Sequence, residues 1–94
     1  PTVLVVLADT QSYNAFADGC LVMGNLMNAA HAVGLGSCWI NRAKELFAMP
    51  EGKELLKKWG IEGDYIGVGN CILGYADESP VMKPRKENYI YYVL

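Results

Sequence analysis

The hydrophobic pattern predicts a chain that opens with a buried strand and continues with a long helix. Residues Thr2 to Ala8 (TVLVVLA) are almost all apolar and rich in β-branched side chains, as is typical of a strand covered on both faces. After a polar and aromatic connection over Asp9 to Ala17, apolar residues recur at helical spacing from Asp18 to about Ala32. Gly34 then favours a left-handed helix end, and Leu35 is placed for the hydrophobic contact of a Schellman cap.

Apolar side chains cover about two-thirds of the circumference of this predicted helix. Gly24, Asn28 and His31 share the narrow polar remainder. A helix that is apolar this far round is buried on two sides. We therefore expect one side to pack on its own sheet and the other to face a second subunit or another part of the protein. The methionines in the apolar stripe indicate adaptable core packing rather than a ligand site.

The second half of the chain predicts two short helices and two strands. One or two helical turns are expected over Ala43 to Met49, and Pro50 fits the first position of a further helix that ends at Gly60. Strands are expected over Tyr65 to Leu73 and over Tyr89 to Val93 (YIYYV). Simple alternation divides the first of these strands into two faces, one with Tyr65, Gly67, Gly69, Cys71 and Leu73 and the other with Ile66, Val68 and Ile72.

Composition limits the chain to one small domain or part of a larger one. Of its 94 residues, 52% are hydrophobic, above the ~45–50% of an ordinary domain. The excess predicts that a partner subunit or further sequence covers part of the surface. The chain begins with Pro1 rather than methionine, so we expect a processed protein or a fragment, and we treat residues 1–94 as a single partial domain.

Several classes of protein are disfavoured by charge, hydropathy and cysteine content. The longest apolar run, Val3 to Ala8, has six residues, whereas a membrane helix needs ~20. The net charge of -2 argues against nucleic-acid binding. Three cysteines without a CxxC pair, Cys20, Cys38 and Cys71, disfavour a disulfide framework or a zinc site. They favour a reducing cytoplasm as the location.

The familiar catalytic templates are absent from the sequence. The single histidine, His31, has no residue to orient it, and no GxSxG, HExxH or P-loop lysine motif occurs. We therefore expect no catalytic side chain and no metal ligand from this chain.

Two features point to a ligand. In Lys83-Pro84-Arg85, proline favours an extended backbone, so both cations can meet one phosphate; alternatively, the segment is a solvated basic turn. In Gly34 to Arg42 (GLGSCWINR), a glycine turn precedes residues that can lie against a flat ligand; alternatively, it is a helix cap followed by a core tryptophan. Together the two features suggest a planar cofactor with a phosphate.

The sequence resembles the C-terminal half of the FMN-dependent nitroreductase family. The resemblance covers nearly the whole chain and depends on the order of its pieces: PTVLVVLAD, DGCLVMGNLMNAAHAVGLGSCWI, ELFAMPEGKE, DYIGVGNCILGY and KPRK. It implies an α+β fold in which helices flank a mixed sheet. It also implies a homodimer with FMN at the interface and a C-terminal strand that crosses to the other protomer.

The resemblance also implies an activity and a set of binding residues. Members of the family use NAD(P)H to reduce FMN, which then reduces nitroaromatics, quinones or related small-molecule acceptors. The segment matching Trp39, Ile40, Asn41 and Arg42 lines the flavin ring, with a backbone amide at or near Asn41 bonded to flavin N5. The basic pair matching Lys83 and Arg85 binds the FMN phosphate.

Two departures from the family keep other functions open. The family's N-terminal half, with its RSxR-like phosphate motif, has no counterpart in this chain, and several relatives have a small residue near Arg42. The chain could therefore be a non-catalytic remnant of the fold that acts as a structural or interaction module. It could also be a small α/β binding domain unrelated to flavin, which Lys83 and Arg85 pointing away from Gly34 to Asn41 would favour.

Overall fold

The computed structural model describes residues 2–94 and has an α+β fold, which confirms the predicted class. Strands and helices follow in the order β1 (Thr2–Asp9), α1 (Ala15–Ala32), β2 (Gly36–Ile40), α2 (Ala43–Ala48), α3 (Pro50–Lys58) and β3 (Tyr65–Gly74). The three strands form one antiparallel sheet in the order β1-β3-β2. The parallel pairing expected of a mixed sheet is not found among these three strands.

Helices pack on both faces of the sheet, although Val3 and Ile72 at one end remain 53% and 40% exposed. The side chains of β1 alternate between two apolar clusters, one on each face of the sheet. Val6 and Ala8 pack with Met23 of α1 in one cluster, and Val5 and Leu7 pack on the other side. That second cluster is built on Ala43, Phe47 and Leu56 of α2 and α3. The long helix therefore lies on one face of the sheet and the two short helices on the other.

Both predicted Schellman caps are present. At the end of α1, Gly34 has a φ of +83°, and the amides of Leu35 and Gly34 donate to the carbonyls of Ala30 and His31 at 2.8 and 3.0 Å. These are the two bonds that define the motif. Gly60 ends α3 in the same way, at a φ of +74°. The turn after α1 leads directly into β2.

The structure contains one strand that the sequence analysis missed and lacks one that it predicted. The missed strand, β2, pairs with β3 from Gly36↔Gly74 to Ile40↔Asn70. The predicted strand over Tyr89 to Val93 does not form within a single chain, where residues 75–94 contain no helix or strand. Within residues 2–94 this segment pairs with neither outer edge of the sheet, that of β1 or that of β2, so its backbone groups have no strand partner there. Exchange of this segment between protomers stays a prediction.

A β-bulge at Val68 overturns the simple alternation expected for β3. The register passes from Val6↔Gly69 to Leu7↔Gly67, which leaves Val68 as an extra residue. Ile66, Val68, Cys71 and Leu73 consequently pack in the same cluster beneath α1, although alternation assigned them to opposite faces. The bulge turns Val68 toward the beginning of α1, where a Cβ on Gly19 would lie 2.5 Å from Val68 Cγ2.

Gly67, on the other face of β3, allows α2 to touch the sheet. A Cβ at this position would collide with the carbonyl oxygen of Ala43 and would lie 2.9 Å from Cδ2 of Phe47. Both neighbours are almost fully buried, at 0% and 1% exposure. Close approach of a second backbone is a frequent reason for glycine within a strand. Gly67 thus fixes the position of α2, and with it the turn that precedes α2.

Candidate functional site

A cleft opens where the beginning of α1, the β2–α2 turn and the bulge of β3 meet. It has a volume of about 360 Å³ and is lined by Phe16, Asn41, Arg42, Lys44, Glu45 and Val68. Val68 provides a buried apolar floor, with only 4% of the residue exposed, and Phe16 provides a wall that is 47% exposed. The other four residues form a polar rim. The volume is within the range of small-molecule sites, roughly 300–1,000 Å³.

The β2–α2 turn contributes Asn41 and Arg42 to the lining of this cleft. Arg42 has a φ of +83°, a left-handed conformation that reverses the chain between β2 and α2. Its carbonyl accepts a hydrogen bond from the amide of Leu46 at 2.9 Å and so begins α2. Within residues 2–94 the amide of Asn41 donates to no backbone carbonyl. An N–H group at the mouth of a cleft is therefore available to a ligand.

The rim of the cleft carries more positive than negative charge. Arg42 and Lys44 are cations and Glu45 is an anion, and none of the three forms an ion pair with a residue in the part of the chain that the structure describes. The Lys44 Nζ lies 6.0 Å from the centre of the Phe16 ring, at the outer limit for a cation–π contact. The cleft therefore combines an aromatic surface with two unpaired cations.

Trp39 and Ile40, also assigned to the ligand, do not line this cleft. Trp39 packs against the apolar cluster beneath α1. Its indole Nε1 is buried without a hydrogen-bond partner in residues 2–94, and it lies 2.6 Å from where a Cβ on Gly69 would be. Ile40 is 42% exposed. In a single chain Trp39 is thus a core residue that leaves one donor unused.

Lys83 and Arg85 lie in the exposed C-terminal segment and are not brought to the cleft in a single chain. Both are exposed, neither lines the cleft, and neither has a carboxylate partner within residues 2–94. The basic pair is thus free to bind an anion. A cavity shared with Asn41 and Arg42 would require more polypeptide than this single chain.

Residues 2–94 offer neither a metal-binding group nor a membrane-spanning helix. Residues 2–94 contain no group of three or more His, Cys, Asp or Glu side chains arranged to hold a metal ion. Over the same residues, no helix has the length and apolar character required to cross a bilayer.

The fold is that of about half of a nitroreductase. A crystal structure of a nitroreductase with bound FMN from Bacteroides fragilis superimposes with a TM-score of 0.84 at 28% sequence identity, over 99% of this chain and 51% of the other. This chain therefore spans about half the length of the nitroreductase that it matches. No protein-family model matches the sequence. No curated protein matches it either.

The sequence does not identify four of the six residues that line the cleft, namely Phe16, Lys44, Glu45 and Val68. Phe16 was assigned to a connecting loop, but α1 begins at Ala15 and so includes it. Lys44 gave no signal, because a lysine on a short helix is usually a solvated side chain. Val68 was assigned to the other side of β3 from Cys71, and only the bulge places it at the cleft. Asn41 and Arg42 are the two lining residues expected in advance, and that expectation came from the resemblance to the nitroreductase family.

Proposed function

We propose that this chain forms part of an FMN-dependent NAD(P)H oxidoreductase of the nitroreductase kind, which passes a hydride through flavin N5 to a nitroaromatic, quinone or similar acceptor. The observation that carries the proposal is the match of 99% of the chain to half of an FMN-bound nitroreductase. The absence of a catalytic side chain from the sequence motifs agrees with it, because a flavin supplies the reactive atoms.

The residues of this chain fit a flavin in their chemistry. The unpaired amide of Asn41 can donate to an acceptor nitrogen on a flat ring. The exposed cations Lys83 and Arg85 suit a phosphate, because charged hydrogen bonds to phosphate oxygens are strong and arginine binds them through two N–H groups.

FMN, when bound, would supply the redox chemistry, and this chain would hold and orient it. The backbone of residues 39–42 would lie along the ring, with the Asn41 N–H donating to N5. Lys83 and Arg85 would neutralise the phosphate. The apolar floor at Val68 would keep water from the side of the ring that adjoins the cleft, which strengthens the polar contacts made there. Each of these roles is binding or orientation.

A second copy of the chain is part of the proposal. Leu21 and Val22 on the outer side of α1 are 70% and 48% exposed, and Tyr91 and Tyr92 near the C-terminus are 82% and 85% exposed. Such a set of apolar side chains is unusual on a monomer. A homodimer would cover them and would supply the polypeptide that the Lys83–Arg85 end of the site needs.

The test of the proposed function is the colour of the purified protein. After incubation with FMN and gel filtration, the protein should be yellow, and NADH or NADPH added without oxygen should bleach the absorbance near 450 nm. Protein that binds no FMN would favour a structural or interaction module instead. Bound FMN that neither dinucleotide reduces would favour the same non-catalytic alternative.

A proline at position 41 tests the role assigned to the backbone amide. Asn41→Pro removes the N–H, and Ile40 before it is already in the extended conformation that a following proline requires. Loss of one hydrogen bond should weaken FMN binding by about two- to tenfold. The matched control Asn41→Ala keeps the amide and should bind FMN like the unchanged protein. FMN fluorescence titration measures both, and equal dissociation constants for the two variants would contradict the assignment.

A further inference from the structure

We infer that the cleft described above selects aromatic acceptors that carry a carboxylate. The inference rests on the proposed function and adds a substrate class to it. The cleft begins at Asn41 and Arg42, the residues assigned to the flavin ring, and extends to Phe16 and Lys44. We place the acceptor beside those first two residues, next to the ring from which it would take electrons. The remaining walls of the cleft would then contact the acceptor.

The apolar part of the cleft suits one flat ring. Phe16 is half-exposed and Val68 is buried, and both line the cleft, so a ligand can bury its face against an aromatic side chain and its edge against an aliphatic one. Aromatic pairs gain from such stacking beyond the area that they bury. The volume of about 360 Å³ admits a substituted benzene ring rather than a long chain. The shape therefore favours a compact aromatic molecule.

The charged part of the cleft suits an anionic substituent. Lys44 is held 6.0 Å from the centre of the Phe16 ring, so a cation lies beside the surface on which the ligand would stack. Arg42 adds a second cation at the rim, and neither is neutralised by a carboxylate within residues 2–94. Glu45 is the single anion of the lining. A carboxylate on the ligand gains from this excess of positive charge, whereas an amide of the same shape does not.

The probes are 4-nitrobenzoate and its uncharged analogue 4-nitrobenzamide. In the two-electron step, the nitro compound, NAD(P)H and a proton give the nitroso compound, NAD(P)⁺ and water, so two electrons and two protons are transferred and one N–O bond is broken. The KM for 4-nitrobenzoate should be about tenfold lower than that for 4-nitrobenzamide. Equal values for the two probes would overturn the inference.

Variants separate the roles of charge and stacking. Lys44→Gln should remove most of the tenfold difference in KM between the two probes. Lys58→Gln, at the far end of α3, should leave that difference intact. Phe16→Tyr should retain binding of both probes, and Phe16→Ala should weaken both by about threefold to tenfold. If Lys44→Gln changes the ratio of the two KM values no more than Lys58→Gln does, the inference is overturned. If Lys44→Gln changes only the KM for NADH, the inference is also overturned, because the cations would then bind the electron donor rather than the acceptor.

A binding measurement keeps this test independent of turnover. Isothermal titration calorimetry of the FMN-loaded protein with each probe measures the affinity of the cleft for that probe and does not depend on turnover. If nothing is reduced but 4-nitrobenzoate binds about tenfold more tightly than 4-nitrobenzamide, the selectivity stands and the proposed activity fails. If both probes are reduced but bind and react alike, the activity stands and the selectivity fails.

Discussion

Replacing Lys83 and Arg85 together with glutamine is expected to weaken FMN binding by about 100-fold or more. Each charged hydrogen bond to a phosphate is worth roughly 1.5–3 kcal/mol, and ~1.4 kcal/mol corresponds to a factor of ten. Both side chains are exposed, and the structure shows no carboxylate partner for either within residues 2–94. Their removal should therefore leave the fold intact and act on the ligand alone.

Riboflavin makes this experiment specific to the phosphate. It has the ring and the ribityl chain of FMN but no phosphate, so its dissociation constant should be the same for the double variant and the unchanged protein. The double variant Lys57→Gln and Lys58→Gln makes an equal change in charge on α3 and should bind FMN normally. Fluorescence titrations of both flavins measure these constants. Undiminished FMN affinity, or an equal loss for FMN and riboflavin, would contradict the phosphate role.

Gly67→Ala is expected to destabilise the fold by about 3 kcal/mol or more. The new methyl group would meet the carbonyl oxygen of Ala43 and the ring of Phe47. Overpacking of a core typically costs about 1–3 kcal/mol. The cost here should be at the top of that range or above it, because a backbone carbonyl cannot rotate away and α2 has to move. The midpoint of urea unfolding at fixed protein concentration measures the change.

Gly24→Ala is the matched control for this substitution. It makes the same chemical change within α1, where a Cβ would meet no atom within 4 Å. An alanine inside a helix is more stable than a glycine by roughly 0.5–1 kcal/mol, so this variant should unfold at a higher urea concentration. If Gly67→Ala and the unchanged protein unfold at the same urea concentration, β3 and α2 do not make the close contact described here.

Local sequence rules identify most elements of this fold correctly. Both helix ends at Gly34 and Gly60 are predicted because a left-handed glycine followed by an apolar residue is a local signal. Strand β1 is predicted because its apolar run needs no information about its neighbours. Helix α1 begins at Ala15, about one turn before the predicted start at Asp18, and follows Asn14, whose side chain makes no capping hydrogen bond.

The remaining features depend on contacts between distant parts of the chain. Strand β2 has five residues and is defined by pairing with β3, so its own pattern is too short to reveal it. The bulge at Val68 is a property of two strands together and cannot be read from one. The segment over Tyr89 to Val93 has strong strand preference but no neighbour in a single chain. For the site, this means that Asn41 and Arg42 were expected through the family resemblance, whereas the rest of the cleft depends on contacts between distant elements.

The contact between Gly19 and Val68 links the core to the choice of ligand. Val68 packs against Gly19 on one side and forms the floor of the cleft on the other. A larger residue at position 19 would push Val68, and so would alter the depth of the cleft from a position that does not line it. Changes in substrate preference within such proteins can thus arise from helix substitutions hidden behind the pocket, where inspection of the lining residues alone would not find them.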